Sequence, residues 1–69
     1  MNKSPDMVRF GSQVRACRVQ TGLSQEKAAE RAGMDRTYLS GIERGVRNPC
    51  VRNVIALAKA LGVKPADFF

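Results

Sequence analysis

Apolar residues recur along this chain at spacings of three and four, and no segment alternates apolar and polar positions over a strand's length, so the pattern predicts an all-α protein. Gly22, Gly33, Gly45 and Gly62 each follow such a stretch and mark helix ends, where glycine can enter the left-handed region freely. The first helix is expected from about Met7 to Thr21, with Asp6 as cap and Phe10, Val14 and Cys17 on one face. A second begins after the capping hydroxyl of Ser24, carries Glu26 near the positive end of its dipole, and turns the small residues Ala28, Ala29 and Ala32 inward. A third runs from about Arg36 to Arg44 behind the cap Asp35. Its Leu39 and Ile42 point inward, and its outer face is Arg36, Thr37, Ser40, Gly41 and Arg44. A fourth spans about Val51 to Leu61, with Val51, Val54, Leu57, Ala58 and Leu61 at core spacing, and Pro65 opens a short fifth. The expectation is a compact five-helix domain over residues 7–69, preceded by a flexible arm at 1–6.

Two glycines interrupt this scheme. Gly11 and Gly41 fall inside predicted helices, where each costs about 1 kcal/mol relative to alanine, so something is expected to approach the backbone closely there.

Composition narrows the function. At 69 residues the chain supports one small core, and 12 Lys+Arg against 6 Asp+Glu leave it with a net charge of +6. Its 43% hydrophobic content suits a folded domain rather than a basic tail. No apolar run approaches the ~18 residues of a membrane span, and the N-terminus lacks the apolar centre of a signal peptide; a cytoplasmic location is expected. Cys17 and Cys50 have no histidine anywhere to complete a zinc site, which leaves a single disulfide as the one structural option, and free thiols are the preferred reading. With no histidine and only scattered carboxylates, the chain offers little for acid–base or nucleophilic chemistry, so neither an enzyme, a cofactor nor a small-molecule ligand is expected.

Two short helices joined by one glycine turn, the second with a polar outer face, form the layout that sets a recognition helix in the DNA major groove. Residues 25–44, QEKAAERAGMDRTYLSGIER, resemble the helix-turn-helix of the lambda repressor and Cro (XRE) family. Gln25 opens the motif, Ala29 sits at the crossing, Gly33 makes the turn, and Leu39 and Ile42 anchor the recognition helix. FGSQVRACR, GLSQ, IERG, RNP and LAKALGV follow in the family's order from Phe10 to Phe68. The run MDRTYLSGIERGVRNP is most similar to the controller proteins of restriction-modification systems, small dimeric regulators of their own and the endonuclease gene. A phage or chromosomal repressor of the same family is the alternative. An antitoxin is a more distant one, since the toxin-binding extension such proteins often carry does not appear before Phe69.

The resemblance and the side-chain chemistry together assign roles. Arg36, Thr37 and Ser40 are expected to read bases; an arginine can bind guanine O6 and N7 bidentately, worth about 1–3 kcal/mol of discrimination. Ser24 and Gln25, at the positive end of the second helix, are expected at a phosphate, with Tyr38, Arg44, Arg47 and Asn48 around the far end of the recognition helix. From Arg36 to Arg52 there are four arginines and one carboxylate, Glu43, so +3 of the +6 lies in that stretch. Gly41 stands where many relatives carry a reading side chain. Arg18 and Glu43 occupy positions that relatives join in a structural salt bridge. Cys50 stands where relatives have a Ser or Thr cap.

One short recognition helix reads only a few base pairs, so the expected partner is a double-stranded DNA operator of pseudo-palindromic form, bound by a homodimer. Ile55, Phe68 and Phe69 are the candidates for the dimer interface, Phe68 having the competing reading of a core residue. RNA polymerase is a further candidate partner, reached by position on the operator, and no membrane partner is expected.

Overall fold

The computed structural model describes residues 4–69 and contains, among them, four α-helices, one 3-10 turn and no strand. Met1 to Lys3 of the expected arm lie outside the described residues. The first helix, α1 (Pro5–Gln20), starts earlier than its apolar pattern suggests. Pro5 stands at its first position, where a missing N–H costs nothing, and Asp6 lies in the first turn instead of capping it. Ser4 holds the cap position in an extended conformation.

The next two helices have side-chain caps. In α2 (Gln25–Ala32) the Ser24 hydroxyl oxygen accepts from the Lys27 N–H at 3.0 Å, and Gly33 closes the helix at φ 71°. In α3 (Arg36–Glu43) the Asp35 carboxylate accepts from the Thr37 N–H at 2.9 Å. These two bonds satisfy N–H groups that the helices themselves leave free, and they fix where each begins. Gly33 at the end of α2 and the Asp35 cap of α3 together define the length of the turn between them.

Cys50 occupies the cap position of α4 (Val51–Leu61) without a capping bond from its side chain. The expected fifth helix is a single 3-10 turn, Pro65–Phe68, in which the Asp67 carboxylate accepts from the Lys64 N–H at 3.0 Å. Four residues are too few for a stable α-helix, and burial of Phe68 holds the turn.

Leu39, Ile42, Leu57, Val14 and Phe68 are the largest fully buried side chains, and Ala28 and Ala29 let α2 pack closely into the same core. Phe10 meets Phe68 edge-on, with ring centroids 5.6 Å apart, and Phe69 lies tilted against Phe10 at 5.2 Å. Such pairs close the end of the domain where α1 begins and the chain stops. Val51, expected in the core, is instead 75% exposed, because the first residue of α4 faces outward ahead of the buried Leu57, Ala58 and Leu61.

Gly11 has a physical reason for being glycine. A Cβ there would strike the backbone carbonyl oxygen of Ile42 and lie 2.8 Å from that of Glu43. It marks the place where α1 crosses the end of α3 at backbone distance.

Candidate nucleic-acid interface

The helix α3 has two different sides. Leu39, Ile42 and Glu43 are buried, whereas Arg36 and Thr37 are exposed at its first turn and Ser40, one turn later, is half-exposed. Asp35 spends its carboxylate on the cap, which keeps the first turn regular and holds Arg36 and Thr37 at the free end. Two of the three expected base readers thus share an accessible helix start, with Ser40 one turn beyond them.

Around them the expected phosphate ligands divide. Arg44 and Arg47 are exposed at and beyond the end of α3. Ser24 is exposed, and since its oxygen accepts from Lys27, its hydroxyl proton is left to donate. Tyr38 is half-buried, and its hydroxyl oxygen accepts from the Asn53 side-chain amide at 3.1 Å, tying α3 to α4. Asn48 is exposed and lines an apolar cleft with Met7, Phe10, Pro49, Val54 and Phe69.

Gln25 departs from its expected use. It is half-buried, and its side-chain amide donates to Glu43 Oε1 at 3.0 Å instead of pointing freely from the start of α2. Arg18 binds the same carboxylate, Nε to Oε2 at 2.6 Å and Nη2 to Oε1 at 3.0 Å, and its remaining nitrogen donates to the Leu23 carbonyl at 2.8 Å. One buried carboxylate therefore joins α1, α2 and α3. Charge-assisted, bidentate bonds of this kind fix orientation as well as distance, so the cluster holds the end of α3 against α1 and α2.

Gly41, placed on the outer face by helical periodicity, is buried beneath the stem of Arg47. The Val46 and Arg47 N–H groups both donate to its carbonyl oxygen, at 2.9 and 3.2 Å. Gly45, at φ 78°, makes the bend that brings them there. Periodicity cannot show this cover, because the residue that provides it comes from the following loop. Asn53 escapes a reading of the sequence for a similar reason: a polar residue in the first turn of α4 resembles any solvated position until Tyr38 is seen opposite.

Phe68 is removed from the dimer candidates. It is fully buried against Phe10 and presents no surface. Ile55 is 43% and Phe69 73% exposed, and Val51, one turn before Ile55 on the same helix, adds to the apolar surface.

Neither thiol is bonded to the other. Cys17 is partly buried against the core, and burial, aided by the Asp67 carboxylate, pushes its pKa up. Cys50 is exposed, and the Asn53 backbone N–H at the start of α4 draws its pKa down. Among the described residues no cluster of three or more potential metal ligands occurs, and no helix is long and apolar enough to cross a membrane.

A side-chain-capped helix pair with a tight left-handed glycine turn and an exposed polar second helix is the geometry of a helix-turn-helix, and the sequence profile of that family matches residues 14–68. The chain belongs to the helix-turn-helix family. Among its relatives in this family, the control protein C.BamHI of Bacillus amyloliquefaciens is 48% identical over 59 residues, covering 84% of this chain and 73% of the relative. The crystal structure of the restriction-modification controller protein C.AhdI from Aeromonas hydrophila superposes with a TM-score of 0.94 at 44% identity, covering 96% of this chain and all of that one. The controller protein C.Esp1396I, solved as a tetramer in complex with its natural 35 base-pair operator, superposes at 0.88 with 33% identity, covering 97% of this chain and 88% of that one.

Proposed function

We propose that this chain is a sequence-specific DNA-binding transcriptional regulator of the restriction-modification controller type. The observation that carries the reading is the two-sided α3: a buried Leu39 and Ile42 anchor, and an edge of exposed Arg36 and Thr37 with half-exposed Ser40, flanked by Arg44 and Arg47. The likeness to C.BamHI and C.AhdI supports the controller assignment.

The start of α3 enters the major groove. Arg36 pairs with guanine O6 and N7, Thr37 bonds a base edge or packs its methyl on thymine, and Ser40 reaches the next base or a phosphate. Arg44 and Arg47 neutralise backbone phosphates, with Asn48 beside them, and Tyr38 acts from the position that Asn53 holds. At the start of α2 a phosphate is met by the Ser24 hydroxyl and the unbonded backbone N–H groups of the first turn, because the Gln25 side chain is already committed to Glu43.

Two copies bind a pseudo-palindromic operator with half-sites about 34 Å apart, joined through Ile55, Phe69 and the neighbouring Val51. Occupancy then governs transcription: a bound dimer blocks RNA polymerase or recruits it according to operator position. This activity places the protein on DNA in the cytoplasm.

Selection of bound duplexes from a random-sequence pool tests the proposal. A recovered palindrome is expected, and Arg36→Ala should relax the preference at one base pair per half-site. Recovery of no sequence preference would leave charge-driven, non-specific binding in its place.

A further inference from the structure

Gly41 does not owe its identity to backbone conformation. The glycines at positive φ are Gly22, Gly33, Gly45 and Gly62; Gly41 lies within α3, where alanine would favour the helix. What excludes a side chain is Arg47. A Cβ on Gly41 would strike Arg47 Cγ and lie 3.3 Å from its Cβ and 3.6 Å from its Cδ. Three successive carbons of the arginine stem thus lie over the bare helix surface, while the residue as a whole is exposed. The obstacle includes Cβ, the part of the side chain least free to move away.

We propose that Gly41 is a positioning residue: its missing side chain forms a seat on the recognition helix that holds the Arg47 stem and presents the guanidinium to a DNA phosphate. A loop residue thereby occupies the place a side chain at position 41 would fill. The two N–H bonds from Val46 and Arg47 to the Gly41 carbonyl fix the loop backbone over the same residue, so stem and backbone are held together. An arginine ordered before binding loses less freedom on meeting its phosphate. This inference rests on the DNA-binding reading above and assigns a residue that contacts no DNA itself.

The test uses the duplex that the wild-type protein selects from a random pool, with binding measured across a salt series. Arg47→Ala should weaken binding roughly tenfold, as for loss of one charge-assisted contact, and lower the slope of log K against log salt by about one. Gly41→Ala should reproduce both effects while leaving the selected sequence and the far-ultraviolet circular dichroism unchanged. The double variant should bind no worse than Arg47→Ala alone. Arg47→Met keeps the stem and loses the charge; it should show the same binding loss yet retain the nuclear Overhauser contact between Gly41 Hα and the Hγ protons of residue 47, a contact expected in the free wild-type protein as well. Losses that multiply in the double variant, wild-type affinity and slope in Gly41→Ala, or absence of the Overhauser contact in the wild type would each overturn the seat alone. Failure of the wild type to select any duplex would overturn the DNA-binding reading with it.

Discussion

Arg18 and Glu43 are joined by two roughly parallel hydrogen bonds, 2.6 and 3.0 Å long, across a sequence separation of 25 residues. The glutamate side chain is 2% exposed and the arginine 12%, so the pair works in a medium where each partner depends on the other. Gln25 adds a third donor to the carboxylate. The last residue of the recognition helix is thereby held by the end of the first helix and the start of the second.

Removing one partner strands the other. Arg18→Met should cost about 3 kcal/mol, the lower end of what a broken buried pair costs, since Gln25 still reaches Glu43. For so small a domain that is a large share of total stability. Urea unfolding followed by circular dichroism measures it; a loss below about 1 kcal/mol, the range of a surface pair, would show that the cluster does not hold the motif.

At the crossing of α1 and α3 the obstacle is backbone, not side chain. Gly11→Ala should therefore destabilise by about 2 kcal/mol, because overpacking against carbonyl oxygens that cannot rotate away outweighs the ~1 kcal/mol that alanine contributes to helix propensity. A rise in unfolding midpoint would mean that the two helices can separate without strain.

Much of this architecture is legible in the sequence, and the failures have a common origin. The caps at Ser24 and Asp35 and the left-handed glycines at 22, 33, 45 and 62 act within a few residues, so local chemistry predicts them. The periodicity of α3 likewise separates Leu39 and Ile42 from Arg36 and Thr37. What it misplaces are residues decided by a partner outside their own helix or by a helix end. Gly41 is outward by periodicity but covered by Arg47; Val51 is inward by spacing but turned out at the first position of α4. Gln25 has the residue type of a phosphate ligand, yet Glu43, 18 residues away, takes its amide. Asp6 looks like a cap until Pro5 is seen to open the helix.

The two thiols should titrate in opposite directions from an ordinary cysteine. At Cys50 the Asn53 N–H favours the thiolate most strongly, desolvation opposes it, and the Arg52 N–H and charge add to the lowering, so alkylation should reach half its limiting rate at a lower pH than in the urea-unfolded chain. At Cys17 burial favours the neutral thiol, and its midpoint should move to higher pH than in the unfolded chain. Peptide-resolved mass spectrometry after timed alkylation reads both in one sample. Coincident midpoints would show that neither environment survives in solution.

Self-association is expected to rest on apolar side chains that the core leaves uncovered. Val51 and Ile55 stand one turn apart on α4, and with Phe69 they are three of the large hydrophobic residues left exposed by the fold. Phe68 takes no part, since its ring is enclosed against Phe10, and substituting it would test the core instead. Ile55→Asp places a charge on the exposed apolar side of α4 without entering the core, so it should shift sedimentation at micromolar concentration from dimer to monomer while leaving thermal unfolding of the monomer nearly unchanged. On a palindromic duplex the same variant should lose affinity far more than on a single half-site, because only the former draws on the linkage between two copies. Equal losses on both duplexes would instead place Ile55 at the DNA, and a dimer that persists in Ile55→Asp and in Val51→Asp would move the interface to another face of the domain.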